Sequence, residues 1–249
     1  MNPLVPLFVN ILNFFAGIFN GSLAFSIIAL TVLVKLALLP VTIPSVKSAK
    51  KMQDLKPHLD KIKLKYGKDK AKLQQAQMDL YKQHGVNPVA GCLPAVVQML
   101  VLYALYTTFI KYTQSDQISL LHLNTSFLYL DLTKPDPYRI LPIVTAIVTF
   151  IQSAMMQTGL ESHHTTPKTV AGAKKQEDSF EMAAAMQQQS LIIMPLMILL
   201  ISLNFASALT LYWFVSTFIG IIQQYYLSGW GGLAVYAKKA QLLLLKINK

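Results

Sequence analysis

The 249-residue chain is 53% hydrophobic and only 13% charged, with a mean hydropathy of +0.44, whereas roughly a quarter of the residues in a soluble domain are charged. These values argue against a water-soluble globular enzyme, a disulfide scaffold or a disordered chain, and predict an all-α polytopic membrane protein. The net charge of +11, from 22 basic and 11 acidic residues, leaves nucleic acid, an anionic membrane surface, acidic clients and membrane topology as candidate sources, which the positions of the charges must separate.

Residues 1–22 carry Leu4, Leu7, Phe8, Ile11, Leu12, Phe15, Ile18 and Phe19 at helical spacing, with Asn10, Asn13, Gly17 and Asn20 opposite. They predict an amphipathic helix lying in the outer interface rather than a sixth span, which would bring three Asn and two Pro against lipid. Nothing from Met1 to Val34 is charged, so the basic n-region of a secretory signal is missing. The first span is expected at 23–44. Residues 45–89 are a different material, with eleven Lys and four Asp between Lys47 and His84. Val46, Ala49, Met52, Leu55, Leu59, Ile62 and Tyr66, then Leu73, Ala76, Leu80 and Tyr81 after a turn at 66–70, predict a basic cytoplasmic helical hairpin with a narrow apolar seam. Attraction to anionic lipid and docking of a partner account for its charge equally well.

Further spans are expected at 90–111 and 139–158, separated by an outer loop, 112–138, and followed by a cytoplasmic loop, 159–189. From Met182 to Ala237 the chain is free of charge. A single helix over 191–227 would measure about 55 Å, against about 30 Å of hydrocarbon. This stretch therefore divides at Ser202-Leu203-Asn204-Phe205-Ala206-Ser207 into spans at 190–203 and 205–227, before a basic tail, 228–249. Five spans put the two termini on opposite sides. The hairpin, the 159–189 loop and the tail hold eighteen of the 22 basic residues, which makes their side cytoplasmic and leaves the N-terminus outside. Nucleic acid is not needed to explain the charge.

Lys35 escapes that account. It lies within the apolar run from Phe25 to Leu39, about 18 Å of helix before Lys47, too far to snorkel to the cytoplasmic side. A lysine at that depth costs about 2.5–3.5 kcal/mol on the insertion scale, and no expected span contains Asp or Glu to pair with it. It is therefore either solvated in a cavity or open to an anionic ligand. Pro40 disrupts the helix next to it. Thr31, Gln98, Gln152, Ser153 and Asn204 supply polar groups in or beside the spans; singly each reads as an interhelical hydrogen bond, together with Lys35 they suggest a hydrophilic cavity. Catalytic signals are missing. There is no phosphate loop or nucleophile elbow, Cys92 is the lone cysteine, and Glu161, His163 and His164 sit in a loop without a further ligand. No catalytic residue, cofactor or metal is expected.

Residues 30–40 (LTVLVKLALLP), Lys51-Met52-Gln53 and Leu55-Lys56-Pro57 resemble the first core span and basic hairpin of the YidC membrane insertases, relatives of the mitochondrial oxidase-assembly and chloroplast Albino proteins. The resemblance continues through Val86-Asn87-Pro88, Gly91-Cys92-Leu93-Pro94 with Gln98-Met99, Asp136-Pro137-Tyr138 with Ile140-Leu141-Pro142, and Leu211-Tyr212-Trp213 with Ile222-Gln223-Gln224-Tyr225. It implies a non-enzymatic insertase and chaperone in the bacterial plasma membrane, with a groove that holds a basic residue of the first span; with the polar groups of the spans, this gives an expected groove containing Lys35, Thr31, Gln98 and Gln152, with Trp213 bordering it at a family-matched position. It also implies nascent membrane proteins with short acidic outer segments as clients, and the ribosome, a targeting receptor, a secretion translocon and anionic lipids as further partners. Lys35 stands where the family most often has Arg. The alternatives are an anion or small-molecule transporter using Lys35 as its binding charge, for which internal repeats are not seen, and a passive assembly subunit with a dry interior.

Overall fold

The computed structural model describes residues 4–67, 69–86, 93–114, 123–156 and 191–234. The whole of the expected 159–189 loop with its Glu161, His163 and His164, the four lysines of the tail, and Cys92 lie outside the described residues. The described residues are mostly helical: α1 (Leu4–Ile18), α2 (Leu23–Ala37), α3 (Leu39–Asp54), α4 (Lys56–Tyr66), α5 (Lys70–Gln83), α6 (Leu93–Gln114), α7 (Ile140–Met156), α8 (Leu191–Ser202) and α9 (Ser207–Ser228). One two-stranded antiparallel hairpin, β1 (Ser126–Phe127) with β2 (Leu130–Asp131), interrupts them in what reads from sequence as plain loop.

Among the described residues no single helix is long and apolar enough to cross a membrane, whereas α2 and α3 together are, across a 65° bend. That break has a local cause. Pro40 has no amide hydrogen to give to the Leu36 carbonyl and its ring crowds that carbonyl, so a continuous helix is costly there. The chain instead restarts at Leu39 with Pro40 in the first turn, where the missing donor is harmless. The Val41 and Thr42 amides and the Thr42 hydroxyl then all turn to the Leu38 carbonyl, at 3.1, 2.9 and 3.0 Å. The same device recurs at Leu55, where Pro57 falls in the first turn of α4. The first arm of the basic segment is thus two helices.

The chain forms two compact bodies: the described parts of Met1–Thr42, Leu93–Thr149 and Pro195–Ile222, and those of Ile43–Cys92, Phe150–Met194 and Gln223–Lys249. In the first, α1 packs on both α2 and α6. Phe8, Leu12, Leu23, Ile27, Leu30, Val101, Leu105, Leu209 and Tyr212 share one apolar core, and the buried Ala16, Ala24 and Ala104 permit close helix approach. The segment Leu123–Arg139 closes one end of this core. The Asn124 amide donates to the Gly21 carbonyl at 2.8 Å and its carbonyl accepts from Leu23 at 3.0 Å, while the Leu132 and Lys134 carbonyls accept from Ala208 and Ser207 at the start of α9. Leu132 is wholly buried.

Asp136 fixes the way out of this segment. Its carboxylate accepts from the Tyr138 and Leu141 amides at 2.9 and 2.7 Å and from the Tyr129 hydroxyl at 3.1 Å, which serves an otherwise orphaned donor in the first turn of α7. Nearby, the Thr133 hydroxyl holds the Asp131 carboxyl below the usual carboxylate range. The stability this group lends is present above its unfolded value near pH 3.9 and is lost as the pH falls through the lowered folded value.

In the second body α4 packs on α5, with Met52, Leu55, Leu59, Tyr81 and Val86 as the seam. Asp69 caps α5 by accepting from the Lys72 amide at 3.2 Å, and that hydrogen bond is the main cause of its lowered carboxyl pKa. Gln53 of α3 donates to the Met155 carbonyl at the end of α7 at 3.2 Å. Gly231 has a positive φ of 50°, and a Cβ there would collide with the same Met155 carbonyl, so glycine is required on both counts.

Asp136→Ala is expected to cost on the order of 2 kcal/mol, since three donors lose a charged acceptor. Thermal unfolding in detergent measures it, and an unchanged midpoint would remove the carboxylate as the latch of this segment.

Candidate functional site

Lys35 sits in the last turn of α2, one helical turn after Thr31 and just before the break at Leu38. Thr31 is wholly buried, and its hydroxyl donates to the Ile27 carbonyl of its own helix at 2.6 Å. Lys35 is half-buried. Among the described residues it has no hydrogen-bond or ion-pair partner. Its neighbours Val34 and Leu38 pack against the apolar core of the first body, while Leu33 and Leu36 are exposed. The ammonium therefore emerges at the edge of that core, on a helix otherwise built of apolar side chains.

Gln98, on α6, has partners that sequence reasoning missed. Its side-chain amide donates to the Tyr212 hydroxyl at 2.8 Å, and its carbonyl oxygen accepts from the Ser216 hydroxyl at 3.5 Å. Tyr212 and Ser216 are one turn apart on α9 and both are buried, so Gln98 ties α6 to α9 across 114 residues of sequence. Trp213 follows Tyr212 but points about 100° round the helix and is half-buried. Gln152 is half-buried on α7 and belongs to the second body. The structure thus joins Gln98 to Tyr212 and Ser216, and aligns Thr31 with Lys35 on one face of α2.

Five buried hydroxyls share one pattern. Ser26, Thr31, Thr108, Thr145 and Thr149 each donate to the carbonyl four residues back, at 2.6–2.7 Å. This bonding satisfies a hydroxyl without a partner helix or water, at the cost of a slight helix distortion. On α7 it separates the faces, with Thr145 and Thr149 buried and Ile140, Ile143, Val144, Ile147 and Phe150 exposed as one apolar stripe. The i, i+4 spacing of Thr145 and Thr149 was the available signal for this arrangement.

A family model described as 60Kd inner membrane protein matches residues 14–230. The chain is 40% identical to membrane protein insertase YidC 2 of Bacillus anthracis over 88% of its own length and 77% of the relative's. It is 35% identical to the membrane protein insertase YidC of Fusobacterium nucleatum over 83% of its length and 86% of that protein. Its fold resembles a solved structure of an active YidC insertase with the first transmembrane domain resolved, with a TM-score of 0.61 and 22% identity over 91% of this chain. The chain spans about half of that structure, 47%.

The Gln98–Tyr212 contact can be isolated by a double-mutant cycle of Gln98→Leu and Tyr212→Phe, read by unfolding in detergent. A coupling of about 0.5–1.5 kcal/mol is expected for a neutral hydrogen bond between helices. Strict additivity would show that the two side chains act independently.

Proposed function

The chain belongs to the 60Kd inner membrane protein family, the YidC-type membrane protein insertases, and we propose that its working element is a hydrophilic groove built around Lys35. The observation that carries this is a cation on an apolar helix, half-buried, with no acid or hydrogen-bond partner among the described residues. Such a charge is tolerated when water reaches it, and it then attracts carboxylates. The helix break three residues on adds an opening in the backbone, Thr31 lies one turn before Lys35 on the same helix, and Gln98 enters the proposal from α6. Trp213 borders the site at a family-matched position, and Gln152 enters the proposal as a polar side chain of an apolar helix.

Insertion on this scheme makes and breaks no covalent bond. A short acidic outer segment of a nascent membrane protein enters the wet groove beside Lys35, so the thickness of hydrocarbon it must cross is reduced. The apolar span of the client then partitions into lipid along an apolar helix face such as the exposed stripe of α7. The free energy comes from burial of that span, about 25 cal/mol per Å² of apolar surface, and the groove lowers only the barrier for the polar end. The scheme runs in a bacterial inner membrane with the N-terminus outside and the basic hairpin in the cytoplasm, where eleven lysines meet anionic lipids and offer a docking arm to a ribosome, targeting receptor or translocon.

The test is insertion of single-span clients into vesicles containing the purified protein. Lys35→Leu is expected to slow a client with an acidic outer segment by about tenfold or more, since a charged contact contributes about 1.5–3 kcal/mol, and to leave a client with a neutral segment nearly unchanged. Lys35→Arg should retain both. Equal insertion of the acidic client by wild type and Lys35→Leu would eliminate the charge from the mechanism.

A further inference from the structure

The hairpin β1–β2 turns through a two-residue loop, Leu128-Tyr129. Leu128 has φ +55°, while Tyr129 is not among the residues with positive φ. A two-residue loop with positive φ at its first position alone is where hairpins place glycine, and asparagine or aspartate tolerate that region next best. Leucine is strained there. It also makes no use of the protein interior, since Leu128 is 85% exposed. A strained backbone holding out an apolar side chain calls for something apolar to receive it.

The surroundings indicate what that is. Phe127, beside it, meets Phe25 of α2 edge-on at 6.1 Å. Phe25 meets Phe19 at 5.9 Å, and the series continues through Phe15 to Phe14 on α1. On the other side Tyr129 meets Tyr138 at 5.5 Å, with its hydroxyl on Asp136. Phe14, Phe25, Leu128 and Tyr138 are all more than half exposed. A run of rings with polar tips, continuous with the apolar surface of a helix expected to span the membrane, has the composition of a membrane–water interface. The Asp131–Lys134 ion pair, 3.3 Å, starts from the end of β2 away from the tip and is exposed enough to belong in water.

We propose that the β1–β2 tip is a lipid anchor: Leu128 inserts into the headgroup–acyl boundary of the outer leaflet and, with the aromatic series, holds the segment that closes the outer end of the core at a set depth. The anchor depends on residence of the chain in a membrane and is independent of the Lys35 groove.

In a Cys92→Ser background, single cysteines at positions 128, 134 and 33 are labelled with an environment-sensitive fluorophore, and the full chain is reconstituted into phosphatidylethanolamine–phosphatidylglycerol vesicles. The label at 128 should emit to the blue of that at 134 and be quenched at least about twofold more by shallow nitroxide lipids, while 134 answers to aqueous iodide. Position 33, on the exposed apolar face of α2, reports whether the chain is in the bilayer at all. Quenching at 33 with a water-exposed 128 overturns the anchor alone, and quenching at neither overturns membrane embedding with it. A label at 128 shielded from both quenchers assigns the tip to a protein contact and overturns the anchor as well. Leu128→Gly separates strain from anchoring. It should raise the unfolding temperature in detergent and lower it in vesicles, and a rise in both media overturns the proposal.

Discussion

A positive charge on an apolar helix, with no counter-charge among the described residues, is the constraint from which the rest of the structure follows. An ammonium group fully removed from water without a counter-ion would cost several kcal/mol, enough to offset much of a domain's net stability. Here the cost is relieved by position. Lys35 stands in the last turn of α2, where the helix ends and its final carbonyls face a cation favourably. The sequence ends the helix there by placing Pro40 five residues on, so the break and the charge support one another.

The same economy governs the other polar groups of the apolar helices. With no water in hydrocarbon to accept them, hydroxyls must be satisfied within the protein, and those of Thr31, Thr108 and Thr145 turn back on their own helices. Against that pattern the Gln98–Tyr212 contact links two helices side chain to side chain. Close packing through Ala16, Ala24 and Ala104, with the Leu123–Arg139 segment clamped by backbone hydrogen bonds to Gly21, Leu23, Ser207 and Ala208, carries the rest of the first body.

The helical class and the lone cation were legible in the sequence because both are one-dimensional signals. A charge-free run shows itself without any knowledge of contacts, and so does one lysine inside it. The proline breaks were half legible: Pro40 announced a disruption beside Lys35, whereas Pro57 was read as part of a continuous arm although it acts in the same way. What was not legible depends on partners distant in the chain. Nothing local marks Tyr212 as the acceptor for Gln98, 114 residues away. Nor does a sequence reveal that Asp136 draws its three donors from both sides, or that Leu128 occupies a conformation normally left to glycine. Thr31 was picked out as a polar group in a span, and the structure shows its hydroxyl already engaged by Ile27, so at this position burial as well as polarity decides what a side chain can offer.

That the cation is a lysine bears on how such a site can turn over. A carboxylate held by a planar guanidinium gains two parallel hydrogen bonds in a fixed geometry, whereas an ammonium offers a point charge whose donors reorient freely. The lysine contact is less selective in direction and easier to leave. An attraction near a wet surface, where the effective dielectric constant is about 20 or higher, amounts to a few kcal/mol at contact distance and falls steeply as water returns. On the proposed scheme this is enough to bias the entry of an acidic segment and too little to retain it once its span has reached lipid. A resident acid beside Lys35 would cancel the proposed bias, so transient capture on this scheme requires the lack of such a partner that the described residues show.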